Sequence, residues 1–245
     1  VDFFGFEVAN TVLYSYSISF SYFVIALISP LLSGIADVSG KKLSFMKFFA
    51  YLGSISCMGL FFFDASNLEF GILCSVFASI GYAGSIVFYN AYLPEIATEE
   101  EYDFLSARGF ALGYIGSVIL LIINLAMIMK PKLFGISGTD GEAAMKAMRY
   151  SFVMVGVWWI LFSQYTYYYL PKGTRNNVKL SKDFIFKGFR ELKLVWHQLQ
   201  ENLALKRYLY SYFVFIMAVQ TVMLVATYFG ATEIAWETPG QKTMG

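Results

Sequence analysis

The sequence predicts an all-α membrane protein that crosses the bilayer several times. Of its 245 residues, 58% are hydrophobic and only 14% are charged, whereas soluble chains carry about 25% charged residues. The mean hydropathy is +0.58, and aromatic residues make up 19% of the chain, which suits lipid-facing surfaces and interfacial belts. A net charge of +1 gives no general attraction to nucleic acid. Because the chain is so hydrophobic, the lipid bilayer is the expected partner.

Apolar runs bounded by charged or turn residues mark the individual spans. A helix needs about 20 apolar residues to cross the hydrocarbon core, and every run after the first is near that length. The predicted spans are 8–36, 46–63, 70–93, 105–129, 147–170 and 208–229. The first run is too long for one comfortable span and too short for two with a turn. Either it is one long tilted helix, or residues are absent near Phe20 between two helices; we favour the second.

The distribution of Lys and Arg predicts the orientation of these spans, because basic loops stay in the cytoplasm. The loop after Asp37 and the segment 171–207 are both basic, so both are expected to be cytoplasmic. The acidic loop 64–69 is then outside. The loop 130–149 contains Lys and Arg, yet alternation also places it outside, and we keep alternation.

The chain divides into three predicted parts. Residues 1–170 form a first transmembrane bundle, 171–207 a cytoplasmic linker, and 208–245 the start of a second bundle. Within the linker, apolar residues of 181–203 recur at steps of three and four, which predicts an amphipathic helix. This helix lies either in the membrane interface or against the protein's own cytoplasmic loops.

The sequence offers no motif for catalysis. It contains no metal-ligand spacing, nucleophile elbow or phosphate-binding loop. We therefore predict that the protein is not an enzyme and needs no cofactor or metal.

The sharpest motif is the turn that follows the first run, Asp37-Val38-Ser39-Gly40-Lys41-Lys42. Small residues before it allow helices to approach closely, Gly40 allows the turn, and the lysines hold the loop in the cytoplasm. This resembles the D-x-x-G-R/K-R/K loop between the second and third helices of the major facilitator superfamily. The first glycine of that motif is Ser33 here.

Two further segments extend the resemblance. Gly109, Gly113 and Gly116 share one helix face and predict a flat groove for a neighbouring helix. This face resembles the glycine-rich fifth helix of superfamily exporters, with Tyr114 where their proline would be. Together with 9–10, the segment 88–96 looks like the vacuole-effluxer-like branch, the autophagy-related amino-acid effluxers. The resemblance covers about residues 2–229.

The resemblance implies a major facilitator fold, of which this chain supplies the N-terminal six-helix half plus the seventh helix, so that the chain looks incomplete. It implies a secondary transporter that moves a small polar, amino-acid-like solute by alternating access, with protons or another ion as a coupling partner. The expected location is a bacterial cytoplasmic membrane, or a vacuolar-type membrane in a eukaryote.

Polar residues inside spans are costly and mark candidate functional sites. The substrate-binding candidates are Asn10, Tyr14, Tyr89, Asn90, Asn124 and Gln220. The coupling and gating candidates are Glu7, Asp37, Gly40, Lys41 and Arg108.

Several of these candidates have two interpretations. The polar stripe of the first span, from Glu7 to Ser21, is either a cavity wall or a set of helix–helix hydrogen bonds. Glu7 is either a proton carrier or a solvated cap. Arg108 pairs with Asp37 or Glu95 as a gate, or its side chain simply reaches to the interface.

Two other classes of function stay open. A transporter fold can serve a non-transport role, such as lipid movement or scaffolding. An intramembrane enzyme without a local motif is the third possibility.

Overall fold

The computed structural model describes residues 2–3, 6–7, 10–64, 67–172, 193–194 and 196–232. The chain begins with a short antiparallel hairpin of β1 (Asp2–Phe3) and β2 (Phe6–Glu7), in which Asp2 lies opposite Glu7. Helices follow: α1 Asn10–Ser39, α2 Lys42–Gly59, α3 Leu68–Asn90, α4 Leu93–Ile96, α5 Tyr102–Met129, α6 Asp140–Tyr169 and α7 Leu203–Thr232. Each predicted span coincides with one of the long helices.

The first apolar run forms a single helix, α1, of 30 residues. The structure therefore has one helix where we favoured two, and the absence of residues near Phe20 stays a prediction. The run contains no turn residue around Phe20, and Pro30 is accommodated inside the helix. The resemblance implied six helices in the first half. The described residues of 10–169 form five long helices.

Four helical segments of the described residues are long and apolar enough to cross a membrane. They are Val12–Ala36, Lys42–Phe62, Leu68–Ile96 and Glu99–Met129. α6 has 30 residues, but its first turns contain charged side chains. The prediction of a helical, multi-pass membrane protein is thus confirmed.

The turn between α1 and α2 has the conformation that its glycine predicts. Gly40 is left-handed, with φ of 63°, and the N–H of Lys41 donates to the carbonyl oxygen of Ala36 at 3.1 Å. This bond satisfies a carbonyl at the end of α1 in the manner of a Schellman cap. Lys41 then occupies the N-cap position of α2.

α2 is the central helix of the bundle, and both α3 and α6 pack closely against it, while α1 packs against α3. The close approach depends on glycines. A Cβ atom on Gly81 of α3 would lie 2.5 Å from the Cα of Gly53 and 2.7 Å from the carbonyl oxygen of Phe49. On α6, a Cβ atom on Gly156 would lie 2.6 Å from the carbonyl oxygen of Ser54.

Aromatic rings fill the rest of this interface. Phe88 of α3 is 1% exposed, and its ring stacks between those of Phe45 and Phe49, at centroid distances of 5.4 and 5.9 Å. Trp159 of α6 covers Gly53. This contact gives the tryptophan a packing role.

Ion pairs join neighbouring loops at each end of the bundle. At one end, Arg149 bonds to Asp64 at 3.3 Å; at the other, Lys42 bonds to Glu95 at 2.8 Å. The loops 64–69 and 130–149 therefore share one end, and the start of α2 and the short helix α4 share the other. This grouping agrees with the predicted alternation, and Arg149, at the end predicted to lie outside, pairs with a carboxylate.

The chain forms two compact units, Val1–Phe189 and Arg190–Gly245. In the second unit, residues 193–194 and 196–201 are helical, and α7 follows. Most of the predicted amphipathic helix, 181–203, lies outside the described residues. The three predicted domains, with boundaries at 170 and 207, stay a prediction.

Candidate solute-binding groove

A groove with a volume of about 540 Å³ opens between α3, α4 and α5. It reaches from Tyr82, near the middle of α3, to Ile96 at the predicted cytoplasmic end. Its lining is aromatic, small or hydroxyl-bearing, and none of the lining side chains is charged. The lining residues are Tyr82, Tyr89, Asn90, Tyr92, Leu93, Ile96, Leu105, Ser106, Gly109, Phe110, Gly113, Tyr114, Ser117 and Leu170.

Helix packing explains why this space stays open. α3 packs against α1 and α2, whereas α5 packs against α6. The short helix α4 connects α3 to α5, and because these two helices have different packing partners, a space remains between them. On the α5 wall, a Cβ atom on Gly113 would meet nothing within 4 Å, and one on Gly109 would lie 3.0 Å from the hydroxyl of Tyr89. The sequence predicted a groove for a neighbouring helix at these glycines; in the structure Gly109 and Gly113 line a cavity.

Tyrosines define the polar character of the groove. Tyr82, Tyr89 and Tyr114 are each more than half exposed, so a large part of each side chain is accessible. Tyr82 contacts Trp159 edge-to-face, with ring centroids 6.4 Å apart. Because Trp159 is seated on Gly53, α6 helps to position one wall of the groove.

The structure brings two of the predicted substrate-binding residues together. Tyr89 and Asn90 end α3 and both line the groove. Asn124 lies on the same face of α5, seven residues beyond Ser117. Its side-chain oxygen is buried without a hydrogen bond, so it extends the polar face past the groove.

The other three candidates lie elsewhere or are not described. Tyr14 is 47% exposed on α1 and is not among the lining residues. Gln220 is exposed on α7 in the second unit. Asn10 is the first residue of α1, and its side chain lies outside the described part.

Sequence reasoning did not select the residues of the α5 wall as ligands. Ser106, Phe110, Tyr114 and Ser117 line the groove together with the glycines. The signal was present, because Ser106, Gly109, Gly113 and Ser117 follow one helix face at three- and four-residue steps. That face was interpreted only as a packing surface.

The polar stripe predicted for the first span is not one surface. Glu7 lies in β2 and not on the helix, so it is not part of an α1 face. Ser17 and Ser21 are buried, and their hydroxyls donate to the carbonyl oxygens of Leu13 and Ser17 at 2.7 and 2.8 Å. The hydroxyl of each serine thus has a hydrogen-bond acceptor within α1, so each serine can be buried without a ligand.

The expected gate between Arg108 and Glu95 is also corrected. Glu95 pairs with Lys42, and the guanidinium of Arg108 lies over the ring of Phe104, 5.3 Å from its centroid. Asp37, the other expected partner of Arg108, has a side chain outside the described part. The ion pair that joins α2 to α4 beside the groove is therefore made by Lys42.

We expect the Lys42–Glu95 pair to make a modest contribution to stability. Its side chains are 22% and 35% exposed, and pairs of this kind contribute about 1 kcal/mol or less. A double-mutant cycle with Lys42→Gln and Glu95→Gln, read by thermal unfolding in detergent, isolates the pair from other contacts of Lys42. A coupling energy of zero would show that the pair does not join α2 to α4.

The apolar helices define a multi-pass membrane protein, and its D-x-x-G-K-K turn resembles that of the major facilitator class. Comparison with known families gives the particular branch: the chain belongs to the Atg22-like vacuole effluxer family, whose model matches residues 1–244. The resemblance predicted from the sequence is thus confirmed.

Two curated relatives are similar to this chain. It is 31% identical over 222 residues to the uncharacterized MFS-type transporter YxiO of Bacillus subtilis, which covers 91% of this chain and 50% of that protein. It is 30% identical over 152 residues to the autophagy-related protein 22-2 of Penicillium rubens, covering 55% of this chain and 24% of that protein. The chain thus spans at most about half the length of these relatives. No solved structure matches it.

Proposed function

We propose that the protein is a secondary transporter that moves a small polar, amino-acid-like solute by alternating access, and that the groove between α3 and α5 binds this solute. The uncharged polar groove is the observation that carries the proposal. The family membership and the printed description of the Bacillus relative as an MFS-type transporter support it.

The chemistry of the lining suits a solute that is polar but small. The hydroxyls of Tyr82 and Tyr89 and the amide of Asn90 both donate and accept hydrogen bonds. The tyrosine ring faces attract a cationic group such as an ammonium. Because no lining residue is charged, the carboxylate of an amino-acid-like solute would be held by hydrogen bonds from these hydroxyls and the amide.

The energy source follows from what the sequence contains. It has no nucleotide-binding motif, so a gradient of an ion or of the solute itself would drive movement. Glu7 is the proposed proton-coupling residue, at the hairpin that precedes α1. Asp37, Gly40 and Lys41 form the proposed gating turn, and a bacterial cytoplasmic membrane is the proposed location.

Solute flux into proteoliposomes tests this proposal. We expect the purified protein to exchange at least one labelled amino acid from a broad panel, and to do so faster than protein-free liposomes. Asn90→Ala should lower that flux about tenfold, because a lost hydrogen bond to a polar partner costs 1–3 kcal/mol. The same flux measured with and without a pH gradient, and in Glu7→Gln, tests the coupling.

Ser75→Ala is the matched control for this experiment. Ser75 is also on α3, but its hydroxyl bonds to the carbonyl oxygen of Gly71 and it does not line the groove. Its flux should match that of the wild type. The absence of any amino-acid flux across the panel would favour the non-transport role instead.

A further inference from the structure

A second polar cluster lies in the seam between α2 and α6, and it is not part of the groove. The ammonium of Lys47 lies over the ring of Tyr167, 5.0 Å from its centroid. One turn along α2, the hydroxyl of Tyr51 lies 3.0 Å from the amide nitrogen of Gln164, which donates to it. The rings of Tyr51 and Tyr167 meet edge-to-face at 6.1 Å.

Within the described part of the chain, no protein anion pairs with Lys47 in this seam. α2 contains no Asp or Glu, and α6 contains none after Glu142. Among the residues that the structure describes, the contact of Lys47 is the ring of Tyr167, and no carboxylate pairs with it. A lysine near the hydrocarbon boundary is costly unless an anion or water reaches it.

The depth of Lys47 fits a phospholipid headgroup. It is five residues after Lys42, where α2 begins, which is about 7.5 Å along the helix axis. Tyr167 is likewise close to the last residue of α6, Tyr169. From this depth a lysine side chain extends to the phosphate level.

Exposed aromatic and apolar side chains surround the cluster. Tyr165, Tyr168 and Tyr169 are 67%, 78% and 66% exposed, as expected of an interfacial belt. Phe48, beside Lys47, is 60% exposed, and so is Ile55 further along α2. The polar cluster therefore lies at the end of an apolar surface, an arrangement that matches a headgroup with its acyl chains.

We propose that Lys47, Tyr51, Gln164 and Tyr167 bind the headgroup of an anionic phospholipid in the leaflet at the predicted cytoplasmic end. Lys47 supplies the charge that a lipid phosphate requires. The amide of Gln164 donates to Tyr51 and to the carbonyl oxygen of Ile160 and so positions the Tyr51 hydroxyl, which donates to a phosphate oxygen. The exposed apolar surface of α2 holds the acyl chains. This site is independent of the proposed transport activity.

Native mass spectrometry of the purified protein tests the site. With equimolar phosphatidylglycerol and phosphatidylcholine, we expect the wild type to retain the anionic lipid about fivefold more strongly, the effect of one lysine near an anionic surface. Lys47→Gln should bring this ratio close to one, and Lys47→Arg should preserve it. Gln164→Leu should lower the ratio without removing the charge preference.

Lys130→Gln is the matched control, because Lys130 is exposed at the opposite end of the bundle and its loss should leave the ratio unchanged. Gel filtration shows whether each variant is folded. A folded Lys47→Gln protein that keeps the wild-type ratio would overturn the proposal. If Lys47→Gln does not fold, an unchanged ratio in Gln164→Leu would overturn it instead. Displacement of the lipid by excess inorganic phosphate would also overturn it, since the site would then bind free anions.

Discussion

Gly81→Val is expected to leave almost no folded protein. The α3 backbone at Gly81 touches the α2 backbone, and a Cβ atom there would lie 2.5 Å from the Cα of Gly53 and 2.7 Å from the carbonyl oxygen of Phe49. Backbone atoms cannot rotate away as a side chain can, so the two helices must separate. Overpacking of a core costs about 1–3 kcal/mol, and a branched side chain here should exceed that range. Gel filtration in detergent and the thermal midpoint measure the effect.

Gly113→Ala is the control for that variant. The added Cβ atom meets nothing within 4 Å, and alanine is favoured over glycine in a helix by about 1 kcal/mol. Its thermal midpoint should equal or exceed that of the wild type. A Gly81→Val protein with the wild-type midpoint would show that α2 and α3 do not meet at these residues.

Gly113→Trp is expected to abolish solute flux while leaving the protein folded. Gly113 lies on the α5 wall of the groove, and the space beside it is open. An indole placed there fills much of the cavity and covers the hydroxyls and amide that would bind the solute. We expect flux in proteoliposomes to fall more than about tenfold, which corresponds to a loss of 1.4 kcal/mol or more.

Gly116→Trp supplies a close match to this variant. Gly116 is on the same helix and its Cβ direction is equally open, but it does not line the groove. It receives the same large side chain with the same change in helix propensity. Its flux should stay within about twofold of the wild type, a difference that corresponds to less than 1 kcal/mol.

The helices could be predicted because each one is marked by a continuous run of apolar residues in the sequence. A run of about 20 apolar residues can cross the membrane only as a helix or in a closed barrel, so composition decides the element. The single helix α1 was the alternative that we did not favour, because the resemblance implied two helices before the Asp37–Lys42 turn. The residues around Phe20 contain no signal that would end a helix.

The groove was only partly predictable, because the same residue types serve packing and binding. Tyr89 and Asn90 could be selected, since polar groups inside a span need a partner. Ser17 and Ser21 find their hydrogen-bond acceptors within α1. The sequence pattern does not show whether a serine bonds in this way or faces a ligand. A glycine such as Gly113 permits either the close packing of a neighbouring helix or an open cavity, and the sequence does not distinguish the two.

The ion pair beside the groove shows a further limit of sequence reasoning. From the sequence, Arg108 was a possible partner of Glu95 or Asp37, or its side chain simply reached to the interface. The structure pairs Glu95 with Lys42 because the turn at Gly40 brings the start of α2 to α4. Such a choice depends on how helices pack, and not on spacing along the sequence.

The most direct test of a solute site in the groove is equilibrium binding of the labelled solute that shows flux. Binding is measured with the purified wild type, Gly113→Trp and Gly116→Trp, each shown to be folded by gel filtration. We predict one saturable site in the wild type, affinity weakened at least about tenfold in Gly113→Trp, and unchanged affinity in Gly116→Trp. Equal affinity in the wild type and Gly113→Trp would contradict the assignment of the groove as the solute site.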